Sequence, residues 1–424
     1  MNRQVNRRMF LKKAAAMATF SIVPSYVLRA ETAPSNQLTR AIIGFGGIAH
    51  TSNHLGFQGS KLIALCDPDS LHVKDGLACA ERYGYGKIRG CKDFREILAM
   101  PDVDVVHICT PPHWHGLISV MAAKAGKDIW CEKPMTRTIG EGKKVMEAVR
   151  ANGRIFRLNT WFRFAGGFYG FGTDVKPLKK IMENRLLGWP IRVVVGKSTG
   201  FDFKFFCSGF THLDPEPIPP NLDYDLWLGP APYKPYNHHR VHSTFRGYWD
   251  YESGGLGDMG QHYLDPVQYI LEKDETSPIR VEVDCPPQHP DAVGYFNRIT
   301  YTYADGCEIV LDGNNSLAGS PYLEGPKGAV WPNLRSNIPN LAKIVEHLPD
   351  PLPQQTDFVE SIKTRRTFAL NERNGFRSNL IVHLGTVAMR LGRGFSFDPV
   401  KLQAVNDPAA NRFITQAMRK PWTM

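Results

Sequence analysis

Arg40-Ala41-Ile42-Ile43-Gly44-Phe45-Gly46-Gly47-Ile48-Ala49 is the stretch on which the reading of this chain turns. A short apolar strand runs into G-x-G-x-x-A and the pattern then turns helical, the arrangement that seats a pyrophosphate. Gly44 allows the tight turn, Gly46 lets backbone amides approach a phosphate, and Ala49 is small enough for a helix to pack close to the strand. Gly44, Gly46, Gly47 and Ile48 are therefore expected to line a dinucleotide, with the helix amino terminus favouring its anionic group. Asp67 strengthens the case, because it lies 23 residues beyond Gly44 at the carboxyl end of the next apolar strand, Lys61–Cys66. A carboxylate there accepts both adenosine ribose hydroxyls and repels a 2′-phosphate, which points to NAD rather than NADP.

Outward from this stretch, strand and helix patterns alternate. Helical periodicity over 70–83 is followed by an apolar strand at 103–109, a helix over 114–125 and strands at 128–131 and 155–158. Thr138 with Glu141 three residues later forms a capping box, and Asn152-Gly153 is a good helix stop. This alternation predicts a Rossmann domain, a doubly wound parallel sheet, over 39–160. Beyond Thr160 the pattern changes to a helix over 176–187, strands at 190–196, 280–284, 298–303 and 308–312, and helices over 356–363 and 376–391. Ala304-Asp305-Gly306 joins two of these strands as a hairpin. The α/β chain is thus expected to carry a second α+β domain, 161–395, with a mostly antiparallel open sheet, and a tail, 396–424, without readable pattern.

The composition excludes several classes. At 424 residues, 42% hydrophobic and 22% charged, the chain suits two packed domains rather than a disordered or fibrous protein. Its net charge of +10 suggests nucleic acid, but residues 1–30 hold six of the 51 basic groups and none of the 41 acidic ones. The body therefore carries 45 basic against 41 acidic residues, no footprint for a polyanion. Within 1–30, Asn6-Arg7-Arg8-Met9-Phe10-Leu11-Lys12 is a twin-arginine pattern. An apolar run, 14–28, broken by Pro24, and a small residue at Ala30 follow it. The run falls short of the roughly 20 residues a membrane-spanning helix needs. The segment is expected to be a twin-arginine signal peptide sending the protein to the periplasm or otherwise out of the cytoplasm, without stable membrane insertion. That route carries folded proteins, consistent with a cofactor loaded before export. The eight cysteines show no CxxC, and Cys66, Cys109 and Cys131 are expected to be small buried hydrophobes.

Three further motifs follow in order: Thr110-Pro111-Pro112-His113-Trp114-His115, Cys131-Glu132-Lys133-Pro134, and Gly254-Gly255-Leu256-Gly257-Asp258-Met259-Gly260-Gln261-His262. After a Rossmann half they resemble the Gfo/Idh/MocA oxidoreductases. The resemblance implies that Lys133 touches both the substrate hydroxyl and the nicotinamide ribose. It implies that Asp258 and His262 complete the catalytic set, and that Thr110, Pro111, His115 and Glu132 line the cofactor. It further implies a homo-oligomer, a dimer or tetramer built on the open sheet. The run Leu222-Asp223-Tyr224-Asp225-Leu226-Trp227-Leu228-Gly229-Pro230 is most similar to exported, sugar-acting members, including those proposed to make 3-keto-glycosides. Leu158-Asn159-Thr160-Trp161-Phe162-Arg163-Phe164 departs from the more usual polar, arginine-rich wording, and Trp161 and Arg163 are substrate candidates there.

The residue chemistry agrees independently. Oxidising a secondary alcohol takes a proton from oxygen while carbon gives up hydride. An imidazole such as His262 can take that proton, and the Lys133 ammonium stabilises the developing alkoxide. Asp258 is expected to orient His262 and favour its protonated form. Asp258, His262 and Asp265 share one helix face, opposite Leu256, Met259, Tyr263, Val267 and Ile270, and Pro266 signals a possible restart.

Residues 201–251 hold 13 aromatics and seven prolines, too apolar a loop to be a free linker. Tyr236, Trp249 and Arg246 are expected substrate contacts in it. His238, His239 and His242 lack a ligand rhythm, so no metal is expected. Together these readings describe an exported enzyme moving hydride between NAD and a secondary alcohol of a sugar or glycoside, with C3 implied by the resemblance. Two alternatives stand beside it: redox-neutral cleavage by transient C3 oxidation and elimination, and a non-catalytic Rossmann-fold binding protein.

Overall fold

Strands β1 (Thr39–Ile43) and β4 (Val105–Ile108) are mainly apolar and, apart from Thr39, buried on both faces, as the inner strands of a parallel sheet are. The computed structural model describes residues 37–160, 163 and 174–424; the expected signal peptide and Trp161 lie outside the described residues. β2 (Lys61–Cys66), β3 (Arg89–Cys91), β5 (Asp128–Glu132) and β6 (Phe156–Asn159) complete a six-stranded sheet of order β3-β2-β1-β4-β5-β6. Every pairing in it is parallel. Strand order reverses between β1 and β4, where a crevice opens at the carboxyl ends of a doubly wound sheet.

One expectation within this domain is corrected. The glycine turn leads into a single 3-10 turn, Gly47–His50, rather than a helix. The sequence explains the early stop: Thr51, Ser52 and Asn53 favour turns. The Thr51 hydroxyl already donates to the Ile48 carbonyl at 2.8 Å. The expected capping box is present in modified form. Thr138 accepts from the Glu141 amide at 3.2 Å, while the Glu141 carboxylate receives the amide of Arg137, one residue earlier than in the usual box.

The second sheet has eight strands: β7 (Arg192–Gly196), β8 (Arg280–Asp284), β9 (Arg298–Thr302), β10 (Glu308–Asp312), β11 (Leu323–Gly325), β12 (Gly328–Val330), β13 (Phe395–Asp398) and β14 (Gln403–Ala404), in the order β12-β11-β7-β10-β9-β8-β13-β14. Only β7 and β10 pair in parallel. Two buried helices, Gly254–Ile270 and Glu372–Leu391, pack between the sheets, and the first runs unbroken through Pro266. The segment past 395 is not a separate tail. Phe395 and Phe397 are buried as β13 extends the second sheet. Further on, Arg419 donates to the Gly229 carbonyl at 2.9 Å, and Trp422 packs edge-on against Trp114 at 4.8 Å. Cys66, Cys109 and Cys131 are buried. Among the described residues no helix is long and apolar enough to cross a membrane.

Candidate active site

The 201–251 loop is a roof. Its aromatics form a small core of their own from Tyr224, Trp227, Tyr236, Phe245, Tyr248 and Tyr251. The roof is pinned to the Rossmann domain at two strand ends. Beyond β2, Ser70 donates to the Asn221 carbonyl at 2.9 Å and Asp223 to the Pro68 carbonyl at 3.0 Å. Beyond β4, Trp114 Nε1 donates to the Trp227 carbonyl at 3.0 Å, with His113 Nε2 2.9 Å from the same oxygen. The loop also crosses the start of the Gly254–Ile270 helix so closely that a Cβ at Gly255 would lie 1.7 Å from the Phe203 carbonyl oxygen. A glycine is obligatory there.

Beneath the roof lies a cavity of about 740 Å³, lined by Gly44, Gly46, Gly47, Ile48, Asp67, Thr110, Pro111 and Glu132 toward one end and by Lys133, Lys204, Arg246, Glu252, Asp258 and His262 toward the other. Gly44 has φ +85°, and its Cβ would stand 2.7 Å from the Thr110 amide nitrogen. At Gly46 and Gly47 nothing stands within 4 Å of a Cβ position, so bare backbone faces the cavity. Asp67 accepts from the Phe45 amide at 2.7 Å and from the Asp69 amide at 2.9 Å. His72 Nδ1 also stands 3.2 Å from Oδ1, and Oδ2 keeps a second lone pair for a hydroxyl. This cradle fits a dinucleotide: open backbone for the pyrophosphate, and a carboxylate one strand away for ribose.

At the other end Lys133 Nζ donates to Asp258 Oδ1 at 2.7 Å and to the Asp258 carbonyl at 2.6 Å. Arg246 Nε donates to the same Oδ1 at 3.1 Å, and Lys204 Nζ lies 3.5 Å from Oδ2. Burial opposes ionisation of Asp258, but the charges and hydrogen bonds of Lys133 and Arg246 outweigh it and hold the carboxyl well below its usual range. Burial and the nearby Lys133 charge push His262 well below the ordinary histidine value, with Asp258 opposing. Asp258 does favour the charged imidazole, as expected, but burial and Lys133 outweigh it. Asp258 serves Lys133, while His262 Nδ1 lies 2.9 Å from the Thr160 hydroxyl. The imidazole is held neutral, the form a general base requires.

Other candidates are displaced. His115 does not line the cavity; its ring nitrogens lie 2.7 Å from the Thr110 and Pro134 carbonyls, a strut between the ends of β4 and β5. Arg163 is buried in ion pairs with Asp265 and Asp274, since a guanidinium out of water needs both carboxylates. Tyr236 packs in the roof core against Tyr224, and Trp249 is buried with its Nε1 donating to the His289 carbonyl. Neither lines the cavity, because the apolar ring area of each is consumed inside the fold. His238, His239 and His242 face three partners: Glu216, Tyr248 and Asp69.

A motif model for the NAD-binding Rossmann fold of the Gfo/Idh/MocA oxidoreductases matches residues 38–160, and one for their C-terminal alpha/beta domain matches 171–424. The chain belongs to the Gfo/Idh/MocA oxidoreductase family. The Bacillus subtilis oxidoreductase YrbE is 30% identical over 245 residues, 57% of this chain and 56% of that protein. D-glucoside 3-dehydrogenase of Escherichia coli K12 is 29% identical over 157 residues, 36% of this chain and 41% of its own length. The chain thus matches about half of these curated relatives' lengths. The WlbA dehydrogenase of Chromobacterium violaceum, in complex with NADH and UDP-GlcNAcA, shares the fold with a TM-score of 0.57 at 18% identity, covering 85% of this chain and 96% of that one.

For this Gfo/Idh/MocA oxidoreductase the sequence pointed to Lys133, Asp258 and His262 but passed over Thr160, Lys204 and Glu252. Thr160 had a usable signal, because it directly follows β6, at the strand end where parallel sheets bind ligands. Glu252 stands two residues before the glycine pair that opens the helix. Lys204, inside Phe203-Lys204-Phe205-Phe206, had none.

Proposed function

We propose that the protein is an exported NAD(H)-dependent oxidoreductase acting on a secondary alcohol of a sugar or glycoside, with C3 as the carbon oxidised and a 3-keto-glycoside as product. The observation that carries this reading is one cavity holding the glycine cradle at one end and the Lys133 ammonium and neutral His262 imidazole at the other. NAD, when bound, accepts or supplies the hydride. Lys133 faces the substrate oxygen with a charge fixed by two hydrogen bonds to Asp258, and stabilises alkoxide as it develops. His262, desolvated and neutral, takes the hydroxyl proton, its ring held by Thr160.

The name of the D-glucoside 3-dehydrogenase relative supports sugar chemistry and C3. The twin-arginine pattern supports export. The pinned roof supports a cofactor that stays bound and is recycled by a second sugar or keto-sugar, a ping-pong cycle suited to a compartment poor in free dinucleotide. A homo-oligomer on the open sheet belongs to the same proposal. The test is to purify the protein, release its dinucleotide with acid, and mix the holoprotein with a panel of glycosides. Nicotinamide absorbance should rise with substrate, and product NMR should place the carbonyl. A protein that holds no dinucleotide, or whose bound dinucleotide no sugar reduces, would overturn it.

A further inference from the structure

Glu252 is a charged residue of this cavity that alcohol oxidation leaves without a task. It is 4% exposed, lines the cavity, and its Oε2 receives no hydrogen bond among the described residues. The nearest cation, Arg246 Nε, stands 3.7 Å away and gives its hydrogen bond to Asp258 instead. Burial pushes the Glu252 carboxyl up to about 7, against the pull of Arg246 and with the push of Asp258. A buried carboxyl whose Oε2 has only a 3.7 Å ionic contact and no hydrogen bond is costly, and such groups gather where protons are moved. Lys133, Lys204 and Arg246 all crowd Asp258, so the site does not need Glu252 to fix the position of its ammonium.

Hydride transfer from an alcohol uses one base, and His262 supplies it. A second proton acceptor flanking the same ammonium has work only after the ketone exists, when the neighbouring C–H becomes acidic. We propose that Glu252 is a second proton-transfer residue of this site, removing and returning the proton on the carbon adjacent to the newly oxidised one. The inference rests on the oxidoreductase reading above.

The step balances as follows. The Glu252 carboxylate takes the α-proton, and the C–H bonding pair becomes the C=C bond of an enolate whose oxygen charge faces Lys133. Return of a proton from Glu252 restores the ketone, with the hydrogen exchanged for one from water. Where the next carbon bears a glycosidic oxygen, the enolate pair instead forms a new C=C bond as that C–O bond breaks. The departing alkoxide takes its electron pair and is protonated by solvent. Addition of water across the new C=C bond, followed by return of the hydride to the ketone, would complete a redox-neutral cleavage.

The experiment uses dinucleotide-loaded wild-type protein and the Glu252→Gln and Glu252→Asp variants, with methyl β-glucopyranoside and methyl β-galactopyranoside in deuterated water. Wild type should incorporate deuterium at the carbon adjacent to the one oxidised. Glu252→Gln should lose that incorporation by about 100-fold or more while nicotinamide reduction falls less than about 10-fold, and Glu252→Asp should recover part of it. Equal loss of both signals, or undiminished exchange in Glu252→Gln, would overturn the proposal. Infrared difference spectra of wild type against Glu252→Gln need no substrate. A protonated carboxyl band that titrates near neutrality supports the proposal, and a carboxylate already ionised in mild acid overturns it. If neither glycoside reduces the bound dinucleotide of wild type, the oxidoreductase reading is what fails, and the infrared titration still decides whether Glu252 exchanges a proton near neutrality.

Discussion

At the dinucleotide end of the cavity the defining residues, Gly44 to Asp67, lie within one strand–turn–strand unit and offer mainly backbone. At the opposite end Lys133, Lys204, Arg246, Glu252, Asp258 and His262 come from separate segments of both domains and offer side chains. The first end is defined by what is missing, a Cβ, and fails by crowding. The second is defined by charges placed against one another, and fails by deletion. Substitutions at the two ends should therefore separate cofactor retention from turnover.

The largest effect is expected at the side-chain end. His262→Ala removes the proton acceptor and should lower sugar oxidation by roughly 10²–10⁴-fold. Lys133→Met should cost a similar amount through the lost alkoxide partner, roughly 10³-fold. If the two ends are as separate as they look, His262→Ala protein purifies with its usual dinucleotide content, measured by acid release. Loss of dinucleotide together with activity would break the comparison.

Gly46→Val makes the complementary test. Its Cβ would meet nothing within 4 Å, and Gly46 has φ −88°, so the substitution costs the empty fold little. The branched side chain would instead occupy the space a pyrophosphate needs. Dinucleotide content should fall by about 100-fold or more, while the unfolding free energy of cofactor-free protein stays within about 0.5 kcal/mol of wild type. A large loss of apo stability would show that the cradle is a packing feature.

The same contrast governs what could be read from the chain. Regular strands with strong apolar patterns, β2, β8 and β10, were legible to the residue. β3 was not, because Arg-Gly-Cys has no apolar signal and is largely exposed. The β11–β12 hairpin, three residues on each side, was too short to stand out. Lys133, Asp258 and His262 were legible because they sit in compact motifs, two of them one helical turn apart. Thr160, Lys204 and Glu252 join them only through tertiary crossings, which leave no spacing to read. The aromatic loop misled for the opposite reason. Tyr236 and Trp249 have the chemistry to stack on sugars, but the fold spends their faces on its own packing.

Glu252 gives a stability prediction independent of turnover. Its folded pKa, about 7, is raised from the ordinary 4.5, so the fold retains its proton through a window where the unfolded chain loses it. Stability from this group is fully present below about pH 4.5 and is lost as pH rises through about 7. That interval corresponds to about 3 kcal/mol. Urea denaturation of cofactor-free wild type and Glu252→Gln should show the variant gaining up to about 3 kcal/mol relative to wild type between about pH 4.5 and about pH 8.5. A difference that does not change with pH would mean the carboxyl is ionised throughout and paired with Arg246.

The smallest effect is expected back at the dinucleotide end. Asp67 holds the Phe45 amide at 2.7 Å and has His72 Nδ1 3.2 Å from its other oxygen, so it both shapes the glycine turn and carries the charge that disfavours a 2′-phosphate. Asp67→Asn keeps an oxygen for the Phe45 amide and removes the charge, together with the acceptor that faces the Asp69 amide. The preference for NAD over NADP should then narrow by about 10-fold, the size of one modest charge interaction, about 1.4 kcal/mol. Hydrogen bonding to Asp67 raises the His72 pKa. Without that carboxylate His72 titrates lower, so the gain in NADP affinity should be greatest in mild acid, where the imidazolium persists beside the phosphate. Titration of the apo variant with both dinucleotides at two pH values checks this. A preference unchanged at both would move the discrimination from the Asp67 charge to the shape of the roof above it.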